Sequence, residues 1–325
     1  MIKKLHYLLL LSISLILFSC SELEVEFKEN SLVQGKKTEI VSSMDPTYDS
    51  EKLQRSLDNI NTFRSMSNTS INWQNWFLSI PIDNGKPDTK AKSLYYESIL
   101  EGSYSREVSE YFSWNESEEA INLFSQFTGY TLSGYAAKNN DQFSRTEFRE
   151  FWRGNQEKSD NWSMNEGTHI LESTLRVSEC ENNRDQCEVI VAQINGFEND
   201  IDVDDHNNTE TVKVRWQSGK LILECYTKPL EGKQQWSTDY LIKKTLGDVG
   251  NDIFTIKLKV EDGVLYVALV SKSNNLDTKF SKVYDYVSNG YNYLSYFRSG
   301  NYFPYSDNYL DYSNVLMYGL KTIHY

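Results

Sequence analysis

Short runs of alternating apolar and polar residues recur along the chain from about residue 70 to the C-terminus. Successive side chains of a strand point to opposite faces, so this alternation predicts strands that each bury one face. The predicted strands span 145–151, 169–177, 188–194, 211–216, 220–226, 254–260, 264–270, 291–298 and 315–323. Gly219-Lys220 and Asp262-Gly263 are turn signals between such runs.

Helical periodicity is scarce, and the two best candidates, at 49–64 and 116–124, are short. Many strands at regular spacing with few helices indicate an all-β fold, either a sandwich or a barrel. Residues 69–325 contain no internal repeat and no composition change that would mark a second domain. We therefore expect one β domain over this range.

The first 20 residues have the pattern of a targeting segment. Lys3 and Lys4 precede an apolar core at 8–18, which is too short to span a bilayer. The core ends in L-F-S-C at 17–20, which resembles the lipobox of bacterial lipoproteins. The resemblance implies that the signal peptide is removed and that Cys20 is lipidated, which would anchor the protein to a membrane. An ordinary cleaved signal or an N-terminal anchor helix is the alternative.

Residues 21–68 are polar and lack sustained periodicity, so we predict a tether that leads to the β domain at 69–325. Acidic residues follow Cys20 at once, in a pattern similar to that of lipoproteins displayed on the surface of some Gram-negative bacteria. We therefore expect an exported lipoprotein of the outer membrane or cell surface, and we expect it to be a monomer.

Composition and charge limit the class of partner. The 325 residues include 22 Tyr and 7 Trp, which fit strands and sugar-binding grooves. The formal net charge of -13 argues against nucleic acid and against any polyanion attracted by the bulk charge of the protein. An anionic ligand would therefore require positive charge that is concentrated inside a groove.

Three cysteines follow Cys20, and export would permit a disulfide among them. Cys180 and Cys187 flank a polar turn between two predicted strands, so we predict a disulfide across that hairpin, with Cys225 as a buried thiol. The cysteine spacing matches no zinc motif and the chain has only 4 His, so we predict no transition-metal site and no cofactor, while the sequence leaves a structural calcium open.

Three segments place polar groups at alternate positions, where they share one face of a strand. They are RTEFR at 145–149, QIN at 193–195 and YFRSGNY at 296–302. The aligned residues are Arg145, Glu147 and Arg149; Gln193 and Asn195; and Tyr296, Arg298 and Tyr302. Gly300 would leave a gap where a ligand could approach closely. Taken singly, each segment is also compatible with a self-paired charged strand, a polar strand end or packed aromatic rings.

Together and in this order, the three segments resemble the alginate lyases of polysaccharide lyase family 7. That family carries R-(S/T)-E-L-R, Q-(I/V)-H and Y-F-K-A-G-x-Y strands. Segments 76–83 and 162–171 are also similar to the family, so the resemblance extends over roughly residues 70–325. It implies a β-jelly-roll sandwich of two antiparallel sheets with a cleft across one sheet, and a lyase that cuts a uronate polymer such as alginate.

The implied reaction is β-elimination, which removes the C5 proton of a uronate, places charge on its carboxylate and expels the C4 oxygen. The resemblance implies that Arg145 and Gln193 stabilise the carboxylate, with Asn195 as a further amide donor. Tyr302 would transfer protons, and we expect the nearby arginines to lower its pKa from the ordinary value near 10. The residues expected to bind substrate around them are Arg149, Glu147, Arg298 and Tyr296.

Asn195 stands where the family has His, and an amide cannot act as a general base. Tyr302 would then be the sole acid and base, which suffices for mannuronate because its C5 proton and C4 oxygen lie on the same side of the ring. Guluronate has them on opposite sides and requires two groups. We therefore predict a preference for mannuronate blocks. We expect His169 to pack in a strand, His206 to be a less favoured substitute from a loop, and His324 to have no role.

Two other functions fit the same residues. One is a non-catalytic surface lipoprotein that binds alginate, which Asn195 and the replacement of the family's Lys-Ala by Arg298-Ser299 would favour. The other is a lyase for another uronate polymer such as glucuronan. Retention of Arg145, Gln193 and Tyr302 favours an enzyme, because a binding protein need not keep the proton-transfer group together with the carboxylate-binding residues.

Overall fold

The computed structural model describes residues 70–101, 105–139, 142–182, 184–198, 209–227, 240–290 and 293–325. The chain divides into two units, Met1–Pro46 and Thr47–Tyr325, and all described residues belong to the second. The predicted signal peptide with Cys20, the tether, the helix predicted at 49–64 and His206 lie outside the described residues. The described part contains no helix that is long and apolar enough to cross a membrane.

The described part contains twenty strands, two short α-helices and two 3₁₀ helices, Trp73–Asn75 and Val287–Asn289. The first ten strands are β1 (Ser70–Ile71), β2 (Trp76–Asp83), β3 (Ala91–Tyr95), β4 (Phe112–Asn115), β5 (Ala120–Gln126), β6 (Tyr130–Thr131), β7 (Gly134–Tyr135), β8 (Arg145–Glu150), β9 (Trp162–Ser163) and β10 (Thr168–Glu181). The others are β11 (Glu188–Glu198), β12 (Thr209–Gln217), β13 (Lys220–Tyr226), β14 (Leu241–Asp248), β15 (Phe254–Glu261), β16 (Val264–Ser271), β17 (Leu276–Asp277), β18 (Ser281–Asp285), β19 (Tyr293–Tyr302) and β20 (Tyr312–His324). The helices are α1 (Tyr96–Glu101) and α2 (Arg106–Tyr111).

Eighteen of the strands form two large sheets, which we name the cleft sheet and the back sheet, while β6 and β7 pair with each other in a separate small sheet. The cleft sheet has the order β14-β13-β12-β11-β19-β8-β2-β3, and β9 also pairs with β19. The back sheet has the order β17-β16-β15-β10-β20-β5-β4, with β1 and β18 attached. Nearly all pairs are antiparallel, the exception being the short pair of β1 with β20. The predicted all-β fold of two antiparallel sheets is confirmed.

Buried apolar side chains at alternate strand positions pack the two sheets against each other. In β15, Phe254, Ile256, Leu258 and Val260 are buried, while the residues between them are partly exposed. The turn signals lead to two-residue hairpins between β12 and β13 and between β15 and β16. Positive φ values at both turn positions, 45° at Asp262 and 78° at Gly263 in the second, match the twist of the flanking strands.

The prediction of a helix at 116–124 is wrong. This range holds a turn at 116–119 followed by β5, which pairs with β4 on one side and with β20 on the other. Ile121 and Leu123 are both fully buried in that strand. Two neighbouring strands satisfy its backbone groups, and this tertiary pairing outweighs the weak local helical pattern.

Cys180 and Cys187 form a disulfide with a Cα–Cα distance of 5.9 Å. The strands that it joins are not a hairpin, however, because β10 lies in the back sheet and β11 in the cleft sheet. The disulfide therefore ties the two sheets together at one end of the sandwich. Cys225 is a free, fully buried thiol, as expected.

Candidate active site

The three segments singled out in the sequence become adjacent strands, in the order β11-β19-β8. In β19, Ser299 Oγ hydrogen-bonds Ser173 Oγ of the back sheet at 2.7 Å, and Asn301 Nδ2 donates to the Leu123 carbonyl at 2.8 Å. Alternate residues of β19 therefore face the sandwich interior. The residues at the intervening positions face the open side of the cleft sheet, and they include Tyr296, Arg298 and Tyr302.

Glu147 lies at the centre of this face. Its Oε2 accepts from Arg145 Nη1 at 3.2 Å and from Arg298 Nη1 at 3.3 Å, while Gln193 Nε2 donates to its Oε1. The Glu147 side chain is fully buried. One carboxylate thus holds donors from three strands in fixed positions, so its geometry favours a positioning role for Glu147 over the direct substrate contact expected from the sequence.

Gly300 does not provide the ligand gap expected from the sequence. A Cβ at this position would lie 2.8 Å from the Thr146 carbonyl oxygen and 2.9 Å from Glu147 Cα, and φ is +145°. The glycine is required by the close approach of β8. This approach brings Glu147 into register with Gly300 and within reach of Arg298.

Tyr302 is in register with Arg145, whose Cζ lies 3.8 Å from the centroid of the tyrosine ring. Arg145 lowers the Tyr302 pKa, as expected from the sequence, but the expected net lowering is wrong because the pKa is raised overall. Burial raises this pKa first, and the charge of Glu210 raises it further, which outweighs the lowering by Arg145. Tyr302 is therefore a neutral phenol at rest.

Arg149 and Tyr296 form a second layer beside this cluster. The Arg149 guanidinium lies 4.0 Å from the ring centroid of Tyr296 and donates to the Glu150 carbonyl at 2.7 Å and to Asn161 Oδ1 at 2.9 Å. Burial lowers the Arg149 pKa to about 10, which still leaves the guanidinium charged at neutral pH. Both residues border the cleft, with their main polar atoms already bonded to protein groups.

Several buried polar atoms on this face lack a hydrogen-bond partner among the described residues. They are Arg145 Nε, Gln193 Oε1, Asn195 Oδ1 and Arg298 Nε. These atoms lie on the cleft face and can form hydrogen bonds with a polar ligand that enters the cleft. A sugar carries the hydroxyl and carboxylate groups that would satisfy them.

Glu210 and Lys213 were missed from the sequence, yet both lie on this face and form an ion pair. Lys213 is in register with Gln193, and Glu210 is in register with Asn195. Residues three apart in a regular strand point to opposite faces, but a bulge at Thr211 brings these two to the same face. The bulge has no signature in the sequence pattern, so only the structure could place Glu210 in the site.

Positive charge is concentrated beside the cluster, in a cavity of about 560 Å³. Its cationic lining residues are Lys86, Lys90, Lys92, Lys158, Arg149 and Arg298, against a single acidic one, Asp88. Burial and the neighbouring arginines lower the pKa of Lys158. This local excess of cations would attract an anionic ligand to the cleft even though the net charge of the protein is -13.

His169 and His324 lie on the opposite side of β8. His324 Nε2 pairs with Glu150 Oε1 at 2.8 Å, and the Nδ1 atoms of the two histidines are 2.8 Å apart. Glu150 faces the sandwich interior, where it also accepts from Trp162 Nε1. These histidines therefore do not reach the cleft. In the described ranges, no group of three or more His, Cys, Asp or Glu side chains is arranged to hold a metal ion.

The alginate lyase family model matches residues 71–324 of this chain, in agreement with the fold and with the site described above. The chain belongs to this family. It is accordingly a polysaccharide lyase, and its two-sheet architecture is the jelly roll of the family. No curated protein matches the chain.

Solved structures show the same fold. Alginate lyase A1-II′, a member of polysaccharide lyase family 7, is 22% identical, with coverage of 78% of this chain and 96% of that one and a TM-score of 0.59. A doubly substituted form of A1-II′ in complex with a GGMG substrate gives the same TM-score and identity, with 94% of that chain covered. The alginate lyase from Klebsiella pneumoniae is 17% identical, with coverage of 79% and 97% and a TM-score of 0.58.

Proposed function

We propose that this protein cleaves the 1,4-glycosidic bond of alginate by β-elimination and favours mannuronate blocks. The observation that carries the proposal is the cluster in which Glu147 holds Arg145, Gln193 and Arg298 beside Tyr302. The known structure of A1-II′ with a GGMG substrate supports alginate as the polymer.

The cluster suits the charge that develops during elimination. The buried donors of Arg145 and Gln193 would bind the uronate carboxylate and stabilise the negative charge that grows on it as C5 loses its proton. Tyr302, a neutral phenol, would give its proton to the C4 oxygen as the bond breaks. The cationic cavity next to Arg298 would hold the carboxylate of a neighbouring sugar.

The proposed preference for mannuronate rests on Asn195. Its amide is buried on the cleft face beside Gln193, but it cannot take or give the proton that elimination of guluronate requires on the far side of the ring. Mannuronate needs proton transfer on one side only. Purified enzyme should therefore release unsaturated product, measured by ultraviolet absorbance, much faster from mannuronate polymer than from guluronate polymer. Cleavage of glucuronate polymer alone would assign a different substrate.

Asn195→His is expected to raise guluronate activity by about tenfold, because an imidazole would supply a proton-transfer group across the ring from Tyr302. The gain is modest, since no neighbouring group has been shaped to orient the ring. Initial rates on the two polymers measure it, and Asn195→Gln, which changes the size but not the chemistry, is the control. A wild-type enzyme confined to guluronate would refute the assignment.

The N-terminal segment supports a proposed location. Residues 1–20 end in the L-F-S-C sequence similar to a lipobox, and the polar residues that follow are suited to a tether. The enzyme would thus act from the outer membrane or cell surface. In bacteria that express the full chain, Cys20→Ala should move the protein from the detergent phase to the aqueous phase. A wild-type protein that partitions into the aqueous phase would exclude the lipid anchor.

A further inference from the structure

Removal of the C5 proton requires a base, and the residues assigned from the sequence do not supply one. Asn195 is an amide, and Tyr302 is a neutral phenol at rest. Glu147 is ionisable, but its two oxygens accept from Arg145, Arg298 and Gln193. Both of its oxygens are therefore occupied by the side chains that it holds in place and do not face a substrate proton.

Glu210 is a second carboxylate on the same face. The bulge at Thr211 turns it toward the cleft, where its side chain is 11% exposed and pairs with Lys213. Glu210 is in register with Asn195, and Lys213 is in register with Gln193. The ion pair therefore turns the Glu210 side chain along the strand toward Gln193, one of the proposed carboxylate-binding donors. Glu210 also interacts electrostatically with Arg145 and Arg298, and with Tyr302. Its charge therefore acts both on Tyr302 and on the arginines that surround Glu147.

The charged groups around Glu210 keep it ionised. Burial alone would raise its pKa, but Lys213 on its own strand, Arg145 on β8 and Arg298 on β19 hold it below the ordinary value of 4.5. The other titratable groups that interact with it are Tyr302 on β19, Arg215 on β12 and Tyr226 on β13. At neutral pH the cleft face therefore presents an ionised carboxylate and a neutral phenol.

We propose that Glu210, held by Lys213, is the general base of the elimination and that Tyr302 is the general acid. The inference rests on the proposed β-elimination and assigns the base of that reaction. For mannuronate, whose C5 proton and C4 oxygen lie on the same side of the ring, this assignment requires that both groups act from that side. A carboxylate base in a buried, preorganised site has a precedent in enzymes that remove protons next to a carbonyl group.

The proton and electron transfers balance without a further reactant. Glu210 takes the C5 proton, the electrons of the C5–H bond form the C4–C5 double bond, and the C4–O bond breaks. Tyr302 gives its proton to the departing glycosidic oxygen. The Glu210 carboxylic acid then returns a proton to the Tyr302 phenolate, a downhill transfer because the pKa of Glu210 is lowered and that of Tyr302 is raised.

The first test compares Glu210→Gln with Glu172→Gln on mannuronate polymer. Glu172 is also a strand glutamate paired with a lysine, Lys257 at 2.9 Å, but it belongs to the back sheet. We expect Glu210→Gln to lower kcat by roughly 10²- to 10³-fold with KM changed less than about threefold, and Glu172→Gln to match wild type. Near-normal kcat in Glu210→Gln overturns this role for Glu210. A wild type that cleaves no uronate polymer overturns the proposed function itself.

The pH profile separates a base from a structural residue. Because the pKa of Glu210 is lowered, wild-type kcat/KM should be lost only as pH falls below 4.5. Lys213→Met removes the cation that contributes most to this lowering, so the acidic limb should move to higher pH. A limb that does not move in Lys213→Met, or a wild-type rate that rises tenfold per pH unit through neutrality, overturns the proposal in favour of a Tyr302 phenolate base.

The double variant Glu210→Gln with Asn195→His gives an independent check. The imidazole would serve guluronate without Glu210, so this variant should keep the guluronate activity that Asn195→His gains while it loses mannuronate activity. Loss of both activities in a variant that unfolds at the wild-type temperature would show that Glu210 organises the whole site and is not the base for mannuronate.

Discussion

Tyr302→Phe is expected to lower kcat by roughly 10³-fold and to leave the affinity for the polymer nearly unchanged. The phenol oxygen is the proposed proton donor to the C4 oxygen, which would otherwise depart as a costly alkoxide. The ring itself would remain in place, because its centroid lies 3.8 Å from Arg145 Cζ and the residue is only 6% exposed. Turnover by product absorbance and binding by calorimetry measure the two effects separately.

Tyr318→Phe is a suitable control for this substitution. Tyr318 lies on β20 of the back sheet, where its hydroxyl bonds Glu118 Oε2 at 3.1 Å, and the same oxygen atom would be lost far from the cleft. We expect wild-type kcat in that variant. If Tyr302→Phe keeps more than about a few per cent of wild-type kcat, the leaving oxygen obtains its proton elsewhere and Tyr302 is not the acid.

The strands were predictable because alternation is a local signal. Nine predicted runs correspond to strands of the structure, and β13 was predicted from its first residue to its last, Lys220–Tyr226. The sheet to which each strand belongs is not local information. Hence the prediction of a hairpin across Cys180 and Cys187 was wrong even though the two cysteines do form a disulfide, because β10 and β11 pair with different neighbours.

The site was predictable only in part, for a similar reason. Period-two spacing placed Arg145 and Glu147 on one face, and their ion pair agrees with that placement. Spacing could not reveal that Glu147 would bind donors from two further strands. It also could not reveal Glu210, since three-residue spacing to Lys213 excludes a shared face unless a bulge intervenes. The pKa of Tyr302 depends on burial and on that same unforeseen carboxylate.

Arg145→Ala is expected to lower kcat/KM by at least about 10³-fold, which corresponds to about 4 kcal/mol of transition-state stabilisation. Unlike Tyr302→Phe, this change should also weaken binding of the polymer, because the guanidinium would contact the carboxylate before and during the reaction. Two further contacts would be lost with it, the ion pair to Glu147 at 3.2 Å and the packing against the Tyr302 ring. Glu147 would then keep Arg298 as its cationic partner.

Arg145→Lys distinguishes charge from geometry in this prediction. A lysine would retain the positive charge but not the planar guanidinium that contacts a carboxylate and an aromatic ring at once. We therefore expect Arg145→Lys to recover part of the binding and little of kcat, and Arg106→Ala, at an exposed helix position, to behave as wild type. Ordinary kinetics in Arg145→Ala would mean that β8 presents only a solvated charged face. In that case the anion stabilisation would have to come from Gln193 and Arg298, the remaining donors held by Glu147.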